Sequence, residues 1–252
     1  MIMIPTRTIQ LDNISKSYGD THALTSTNLI IHKGERVALI GPSGAGKSTL
    51  LSILSGAIQS DTGLYSLNNE NILSLSTKQR AESVGIIRQQ FDLVGPLKVV
   101  HNVLSGHLGR WGLIKSLLSL IHPFALNDAR EALARVGIEN KLFELTSNLS
   151  GGEQQRVALA RLFVQHPKVV LADEPVASLD PARADQIIKL LVELTHEGEQ
   201  TLVASLHSIE LAKKYFSRII GIKDGAICLD KPSVQLSEKD LQLLYRLEHP
   251  HV

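Results

Sequence analysis

The chain has little of three things that would point to particular classes of protein: cysteine, an excess of one charge, and long apolar runs. Its single cysteine, Cys228, excludes an internal disulfide and favours a reducing compartment, and its apolar neighbours predict a core position. The 26 basic and 25 acidic residues leave a net charge of +1, which argues against nucleic acid as a partner. The longest apolar stretch, residues 111–126, contains Lys115, His122 and Pro123, so its uninterrupted parts are too short to span a membrane. The first residues lack the pattern of a signal peptide.

What the chain does contain is GPSGAGKS at residues 41–48, which fits the phosphate-binding pattern GxxxxGKS at every fixed position. It follows an apolar run at residues 37–40 that is typical of a buried strand, and it precedes a segment with helical apolar spacing. The backbone N–H groups of such a loop and the positive end of the next helix both favour an anion. In this pattern the lysine reaches the β- and γ-phosphates and the serine hydroxyl ligates Mg²⁺. We therefore expect a nucleoside triphosphate at Gly41, Pro42, Ser43, Gly44, Ala45, Gly46, Lys47, Ser48 and Thr49.

Two adjacent carboxylates end a second apolar run, VVLADE at residues 169–174. The ligand crevice of an open parallel sheet lies at such strand ends. Asp173 is then placed to hold Mg²⁺, and Glu174 to polarise the water that attacks the γ-phosphate. Adjacent acids alone also fit a solvated loop, but a complete phosphate loop in the same chain favours the catalytic interpretation.

The segment LSGGEQQRVALAR, residues 149–161, predicts a second anion site. Ser150 and Glu153 form a capping box ahead of a helical run, and an ordinary capped helix is the simpler interpretation. However, Gly151 and Gly152 also place bare backbone amides at a helix N-terminus. Because one nucleotide needs one such site, the second indicates a nucleotide held by another copy of the chain.

Together these motifs resemble those of the ATP-binding subunits of ABC transporters, over roughly residues 8–228. GPSGAGKS resembles the family's Walker A motif, LSGGE its signature, and LADE its Walker B motif with the catalytic glutamate. The resemblance implies that two subunits sandwich two ATP molecules head to tail, with each phosphate loop facing the other subunit's signature. It also implies roles for shorter motifs, namely the Q-loop at Gln89, the D-loop at Ser178, Leu179 and Asp180, the switch histidine at His207, and the adenine-stacking aromatic at Tyr18.

These shorter motifs also fit ordinary interpretations when each is taken alone. His207 follows a strand-like run and could be a packed or surface histidine, whereas the resemblance implies a hydrogen bond to the γ-phosphate or the attacking water. Gln89 could be a plain loop residue, whereas the resemblance implies contact with the nucleotide, its Mg²⁺ and a membrane partner. Tyr18 could be an unexceptional strand-end aromatic. Arg88 departs from the family pattern, which more often has an aromatic or apolar residue there.

The expected fold is α/β: a P-loop NTPase of the ABC ATPase type, with a mainly parallel sheet core, an antiparallel β subdomain and an inserted helical subdomain. We expect the ATPase domain at residues 6–230, its helical insertion at about 92–160, and a short C-terminal tail at 231–252. The strand candidates are residues 9–11, 28–31, 37–40, 64–67, 84–87, 168–171, 201–206, 218–222 and 226–229, the last two joined as a hairpin at Asp224-Gly225.

Several segments resemble the phosphonate-importer branch of the family: VLSGHLGR at 103–110, LADEPVASLDP, SLHSIELAKKY and the insertion at 111–126, which also fits a variable surface loop. The resemblance implies an ATP-hydrolysing subunit that drives uptake of phosphonate, phosphite or a related oxyanion. Its implied partners are a second copy, integral membrane permease subunits and, indirectly, a substrate-binding protein, at the cytoplasmic face of the inner membrane. The alternatives are the ATPase of a non-importing system, such as lipoprotein release or cell division, and a soluble ABC protein of phosphonate metabolism.

Overall fold

A computed structural model describes residues 6–177 and 179–246 of the 252-residue chain. The chain divides into two compact units. The first contains the described residues up to Ser74 and from Thr201 onward, and the second is Leu75–Gln200. Ser178, which the resemblance assigns to the D-loop, lies outside the described residues.

The first unit contains most of the β structure. Its strands are β1 (Arg7–Tyr18), β2 (Thr21–His32), β3 (Arg36–Ile40), β4 (Thr62–Leu67), β5 (Glu70–Asn71), β8 (Thr201–Ser205), β9 (Arg218–Lys223) and β10 (Ala226–Pro232). Its helices are α1 (Lys47–Leu54), α8 (Ile209–Tyr215) and α9 (Glu238–Tyr245).

These strands form two kinds of sheet within the first unit. β1 pairs antiparallel with both β2 and β4, which in turn pairs with β5. β3 pairs parallel with β8 on one side and β9 on the other. All of β8 and most of β3 are buried, as expected for parallel strands covered on both faces. The predicted hairpin is confirmed: β9 and β10 are antiparallel, and Asp224 and Gly225 both adopt the positive φ that a tight hairpin turn requires.

The second unit is mainly helical. Its helices are α2 (Thr77–Ser83), α3 (Val99–Leu104), α4 (Leu113–Ser119), α5 (Leu126–Arg135), α6 (Gly151–Gln165) and α7 (Pro181–Glu197), and its strands β6 (Val84–Ile87) and β7 (Val169–Asp173) pair in parallel. The predicted capping box is confirmed at α6, where Ser150 and Glu153 form it. At α7, Asp180 caps the helix by accepting the amide of Arg183. Among the described residues, no helix combines the length and apolar character needed to cross a bilayer.

The prediction of a buried cysteine is wrong. Cys228 is exposed, whereas the next residue along β10, Leu229, is buried. Successive side chains of a strand point to opposite faces, so an apolar run on this strand does not bury every member. The segment after residue 230 contains the end of β10 and the helix α9, in which Leu244 is buried.

Candidate functional site

The phosphate loop connects β3 to α1 through a backbone that only glycine fits at two positions. Gly41 has a φ of +149°, and a Cβ there would lie 2.0 Å from the carbonyl oxygen of Ile222. Gly46 has a φ of +104°, and a Cβ there would lie 2.3 Å from the carbonyl oxygen of Ala23. The loop therefore packs against β9 and the start of β2 at distances that exclude any side chain.

Lys47 is held inside this loop. It is 4% exposed, and its Nζ donates hydrogen bonds of 2.8 Å to the carbonyls of Gly41 and Pro42. The loop also receives support from the β9–β10 turn, where the amide of Gly225 donates to the carbonyl of Ala45 at 3.2 Å. Because Lys47 is the first residue of α1, its positive charge lies at the positive end of the helix. This arrangement is suited to a polyanion.

The first unit brings His207 to the same edge as the loop. β8 runs parallel to β3, with Ser205 opposite Leu39, and the amide of Leu206 donates to the carbonyl of Leu39 at 3.0 Å. His207 and Gly41 thus follow neighbouring parallel strands, where ligands bind in open α/β sheets. His207 is exposed.

Two tyrosines lie on elements connected to the phosphate loop, one through a neighbouring strand and one directly. Tyr18 is the last residue of β1 and is half-exposed, with the Nζ of Lys16 5.7 Å from its ring centroid. Its partner strand β2 contains Ala23, whose carbonyl packs against Gly46. The second, Tyr245 of α9, forms a hydrogen bond with the backbone of Gly41, and burial raises the pKa of its hydroxyl. The C-terminal helix therefore contacts the start of the loop, a contact that no sequence motif indicates.

In the second unit, the two predicted carboxylates, Asp173 and Glu174, lie at the end of β7. Its residues up to Ala172 are buried, Asp173 is the last residue of the strand, and Glu174 follows with a left-handed φ of 47°. The carbonyl of the next residue, Pro175, accepts a hydrogen bond from Nε2 of Gln155, a buried side chain of α6. Helix α6, which begins directly after Ser150, thereby holds the turn that contains Glu174.

Gln89 lies in an exposed turn directly after β6. Arg88, the departure from the family pattern, forms an ion pair of 2.7 Å with Asp92 and so closes the turn with charge rather than with apolar packing. Arg161 of α6 donates to the carbonyls of Phe91 and Asp92 at 2.8 and 2.7 Å. The same helix therefore also fixes the Q-loop.

The signature turn satisfies its own polar groups. The amide and hydroxyl of Ser150 both donate to Oε2 of Glu153, at 2.9 and 2.7 Å, and the hydroxyl accepts the Glu153 amide at 3.4 Å. These Ser150 bonds, with the charge of Lys141 nearby, hold the pKa of the Glu153 carboxyl below its ordinary value. A Cβ added at Gly151 or Gly152 would meet no heavy atom within 4 Å.

Sequence reasoning missed the two polar side chains, Gln155 and Arg161, that tie α6 to the turns after β7 and β6. Both lie in the predicted capped helix, and both bind carbonyls rather than solvent. A polar residue on the buried face of a helix usually has a hydrogen-bond partner, so Gln155 carried a signal. Its partner could not be identified from the sequence, because Pro175 is 20 residues away.

Comparison with known proteins identifies this arrangement. A family model described as ABC transporter matches residues 24–177, which is more than half of the chain. The chain belongs to the ABC transporter family. The phosphonates import ATP-binding protein PhnC 1 of Pseudomonas syringae pv. syringae is 44% identical over 245 residues, covering 96% of this chain and 92% of the relative. The corresponding PhnC 1 protein of Nostoc sp. is 42% identical over 249 residues, covering 96% and 94%.

Solved structures of ABC proteins share the fold. One is a dimeric post-hydrolysis state of an ATP-binding cassette bound to ADP and Pi, with a TM-score of 0.77 and 33% identity, covering 89% of this chain and 98% of that one. Another is CbiO1 of Clostridium perfringens, part of the CbiONQ transporter complex, with a TM-score of 0.78 and 30% identity, covering 96% of each chain. The predicted family and the predicted ABC ATPase fold are both confirmed, and the chain is an ATP-binding cassette.

Proposed function

We propose that this chain is the ATP-hydrolysing subunit of an importer that takes up phosphonates, acting at the cytoplasmic face of the inner membrane. The proposed substrate class rests on the 44% identity, over 96% of the chain, to a phosphonates import ATP-binding protein. The match includes the helical region in which the insertion at residues 111–126 lies, so it is not limited to the motifs that all ATP-binding cassettes share.

In this proposal the adenine of ATP stacks on Tyr18 and the triphosphate binds residues 41–49. Phosphoryl transfer depends on positioning and on stabilising the charge that builds on the phosphoryl oxygens. Lys47, from its buried position in the loop, supplies the positive charge that stabilises these oxygens. Glu174 accepts a proton from the attacking water, and His207 donates a hydrogen bond to the γ-phosphate or to that water. Asp180 contributes to nucleotide binding in addition to capping α7.

The residues available for Mg²⁺ fit that ion. Ser48, Asp173 and Gln89 offer a hydroxyl, a carboxylate and an amide oxygen, and Mg²⁺ prefers such hard oxygen donors together with substrate phosphates. When bound, Mg²⁺ would neutralise charge on the β- and γ-phosphates.

A second copy of the chain completes each site in this proposal, with Ser150, Gly151, Gly152 and Glu153 binding the partner's nucleotide. Support comes from the dimeric cassette bound to ADP and Pi, and from the open space around Gly151 and Gly152. The further partners are the permease subunits, approached by the Gln89 turn, and, through them, a substrate-binding protein.

The decisive experiment removes the gene from its host and measures growth on a single phosphorus source. We expect loss of growth on methylphosphonate but not on orthophosphate, and rescue by the wild-type chain but not by Glu174→Gln. A parallel culture on phosphite separates that oxyanion from phosphonates. Undiminished growth on methylphosphonate would reject the proposed substrate, and rescue by Glu174→Gln would reject ATP hydrolysis as the driving reaction.

A further inference from the structure

Helix α4 and the residues after it have their apolar side chains on the outside. Ser119 is buried and Ser116 is partly buried, whereas Leu113 and Ile114 are 77% and 75% exposed. Ile121, two residues beyond the helix, is 86% exposed. A helix on the surface of a globular protein normally turns its apolar face inward. We name the exposed apolar residues of this segment the apolar ridge: Leu113, Ile114, Leu117, Leu118, Leu120, Ile121 and Phe124.

The inward serines are bonded to their own helix. The hydroxyl of Ser116 donates to the carbonyl of Gly112 at 3.0 Å, and that of Ser119 donates to the carbonyl of Ser116 at 2.7 Å. The apolar ridge therefore presents few groups that could form directed hydrogen bonds. Protein interfaces carry about one hydrogen bond per 100–200 Å² of buried area. Lipid acyl chains form no hydrogen bonds, so an apolar surface can contact them without such groups.

The segment that contains the ridge, residues 111–126, has one charged side chain, that of Lys115, and no acidic residue. The sequence contains no acidic residue between Asp92 and Asp128, although it contains Lys98, Arg110 and Lys115 in that interval. In a chain with 26 basic and 25 acidic residues, this is a local departure from the overall balance. An apolar surface whose own charged side chain is a cation is suited to the interface of an anionic bilayer. The acid that follows in the sequence, Asp128, forms a hydrogen bond of 2.9 Å with Nε2 of His107.

Trp111 and Lys115 lie at the polar margin of the ridge. The Lys115 Nζ lies 4.8 Å from the Trp111 ring centroid. The ring of His107 also stacks on the indole, with the two ring centroids 4.8 Å apart. Tryptophan and lysine together favour the headgroup level, where the indole and the ammonium contact both water and acyl chains. An open groove of about 690 Å³, lined by Leu113, Leu118 and Phe124 among others, continues the apolar surface.

We propose that the apolar ridge inserts into the surface of an anionic lipid bilayer, with Trp111 and Lys115 at the level of the lipid headgroups. The ridge side chains would replace their contact with water by contact with acyl chains, and Lys115 would lie near lipid phosphates. This attachment would be a property of the chain itself, independent of the substrate that its partners carry.

Trp111 is the only tryptophan of the chain, so intrinsic fluorescence reports on this segment alone. The intact chain is titrated with phosphatidylcholine vesicles, and with vesicles in which about 30% of the lipid is phosphatidylglycerol. We expect a blue shift of the emission with the anionic vesicles, and quenching by lipids brominated near the headgroup. Emission that is unchanged by both vesicle types would overturn the proposal.

Two variants and two matched controls separate the apolar and electrostatic contributions. Leu117→Ser combined with Ile121→Ser should weaken partitioning about tenfold or more, because two exposed apolar side chains are lost. Lys115→Glu should weaken it on the order of tenfold at low salt only, since surface attraction is screened. The controls are Leu64→Ser, an exposed leucine of β4, and Lys189→Glu, an exposed lysine of α7, and neither should alter partitioning.

Two further outcomes would overturn the proposal in favour of a protein partner. If the ridge variants bind vesicles as the wild type does but lose a dimer seen by sedimentation without lipid, the ridge is an interface between copies. If vesicle binding is unaffected and the ridge variants fail to form a detergent-solubilised complex with the permease, the ridge is a permease contact.

Discussion

Two helices in this molecule begin at glycine-rich turns, and they use their first backbone amides in opposite ways. α1 begins after Gly46, with no side-chain cap and no acidic residue in its first turn. α6 begins after Ser150, whose amide and hydroxyl are both bonded to Glu153. The positive end of α1 is therefore offered to a ligand, whereas that of α6 already faces a carboxylate of its own chain.

The glycines of the two turns differ in the same sense. Gly41 and Gly46 are required by the chain's own packing, because a Cβ at either position would collide with a backbone carbonyl. Gly151 and Gly152 meet nothing within 4 Å. In the proposed dimer, the partner's nucleotide would impose the requirement for glycine in the signature. The phosphate loop can therefore be understood from a single copy, whereas the role proposed for the signature needs two.

The largest effect is expected where the two turns would share one nucleotide. Glu174→Gln should lower ATP hydrolysis on the order of 10³-fold, because the attacking water loses its proton acceptor. MgATP binding should remain, and the variant should accumulate as a dimer, measured by sedimentation velocity with and without MgATP. Glu193→Gln, an exposed glutamate of α7, is the control and should behave as the wild type. Hydrolysis at the wild-type rate by Glu174→Gln would refute the assignment of Glu174.

Alanine at the glycines should separate the turns more sharply. Gly152→Ala should lower ATP hydrolysis about 100-fold if the signature binds a partner's nucleotide, since groups supplied in trans are worth more than that in related enzymes. Its stability should be unchanged or higher by about 0.5–1 kcal/mol, because alanine favours a helix over glycine. Hydrolysis and urea unfolding are measured on the same preparation.

Gly46→Ala is the matched variant in the phosphate loop. It should lose both ATP binding and about 1–3 kcal/mol of stability, because a strained φ and a carbonyl 2.3 Å from the new Cβ act within one chain. If Gly152→Ala were as unstable as Gly46→Ala, the contrast between the turns would be wrong. A stable and fully active Gly152→Ala would show that the signature has no tight contact in trans.

Mixed dimers test whether the phosphate loop of one copy and the signature turn of the other form one site, through a smaller change in the rate of ATP hydrolysis. A chain with Lys47→Ala paired with a chain with Ser150→Ala should keep one intact site and about half of the activity, because both changes fall in one head-to-tail site. A chain with both changes paired with a wild-type chain should lose both sites. Tagged chains purified in two affinity steps give the two dimers. Equal activity of the two pairings would contradict the trans arrangement.

The sequence predicted those parts of the fold that depend on neighbours along the chain. The strand at Val84–Ile87 was predicted with the bounds observed, and Ser150 caps α6 as expected. β1 and β2 were predicted too short, because each contains a residue with positive φ, Asn13 or Ser26, and register shifts interrupt their alternation.

The remaining parts of the candidate site depend on contacts between distant segments. The bonds from Arg161 to the Q-loop span about 70 residues, and Tyr245 lies about 200 residues from the loop glycine that it contacts. No local pattern marks such partners. The helix α9 was included in a tail, although Leu244 packs against Gly221 of β9.

The smallest effect concerns the carboxylate that occupies the N-terminus of α6. The pKa of Glu153 is lowered, chiefly by the hydrogen bond from the Ser150 hydroxyl, so its contribution to stability is present above the ordinary value of 4.5 and is lost as the pH falls through the lower folded value. Glu153→Gln keeps an acceptor for Ser150 but does not titrate. We expect the wild type to be more stable than this variant by about 0.5 kcal/mol at pH 7. The difference should be smaller in high salt, because the Glu153 carboxylate at the positive end of α6 is partly exposed and its charge is screened. Urea unfolding of both proteins at pH 7 and at acidic pH measures this difference, which should shrink below pH 4.5. A difference that stays constant with pH would mean that the carboxylate's charge contributes nothing to the cap, and the contrast with α1 would then rest on hydrogen bonding alone.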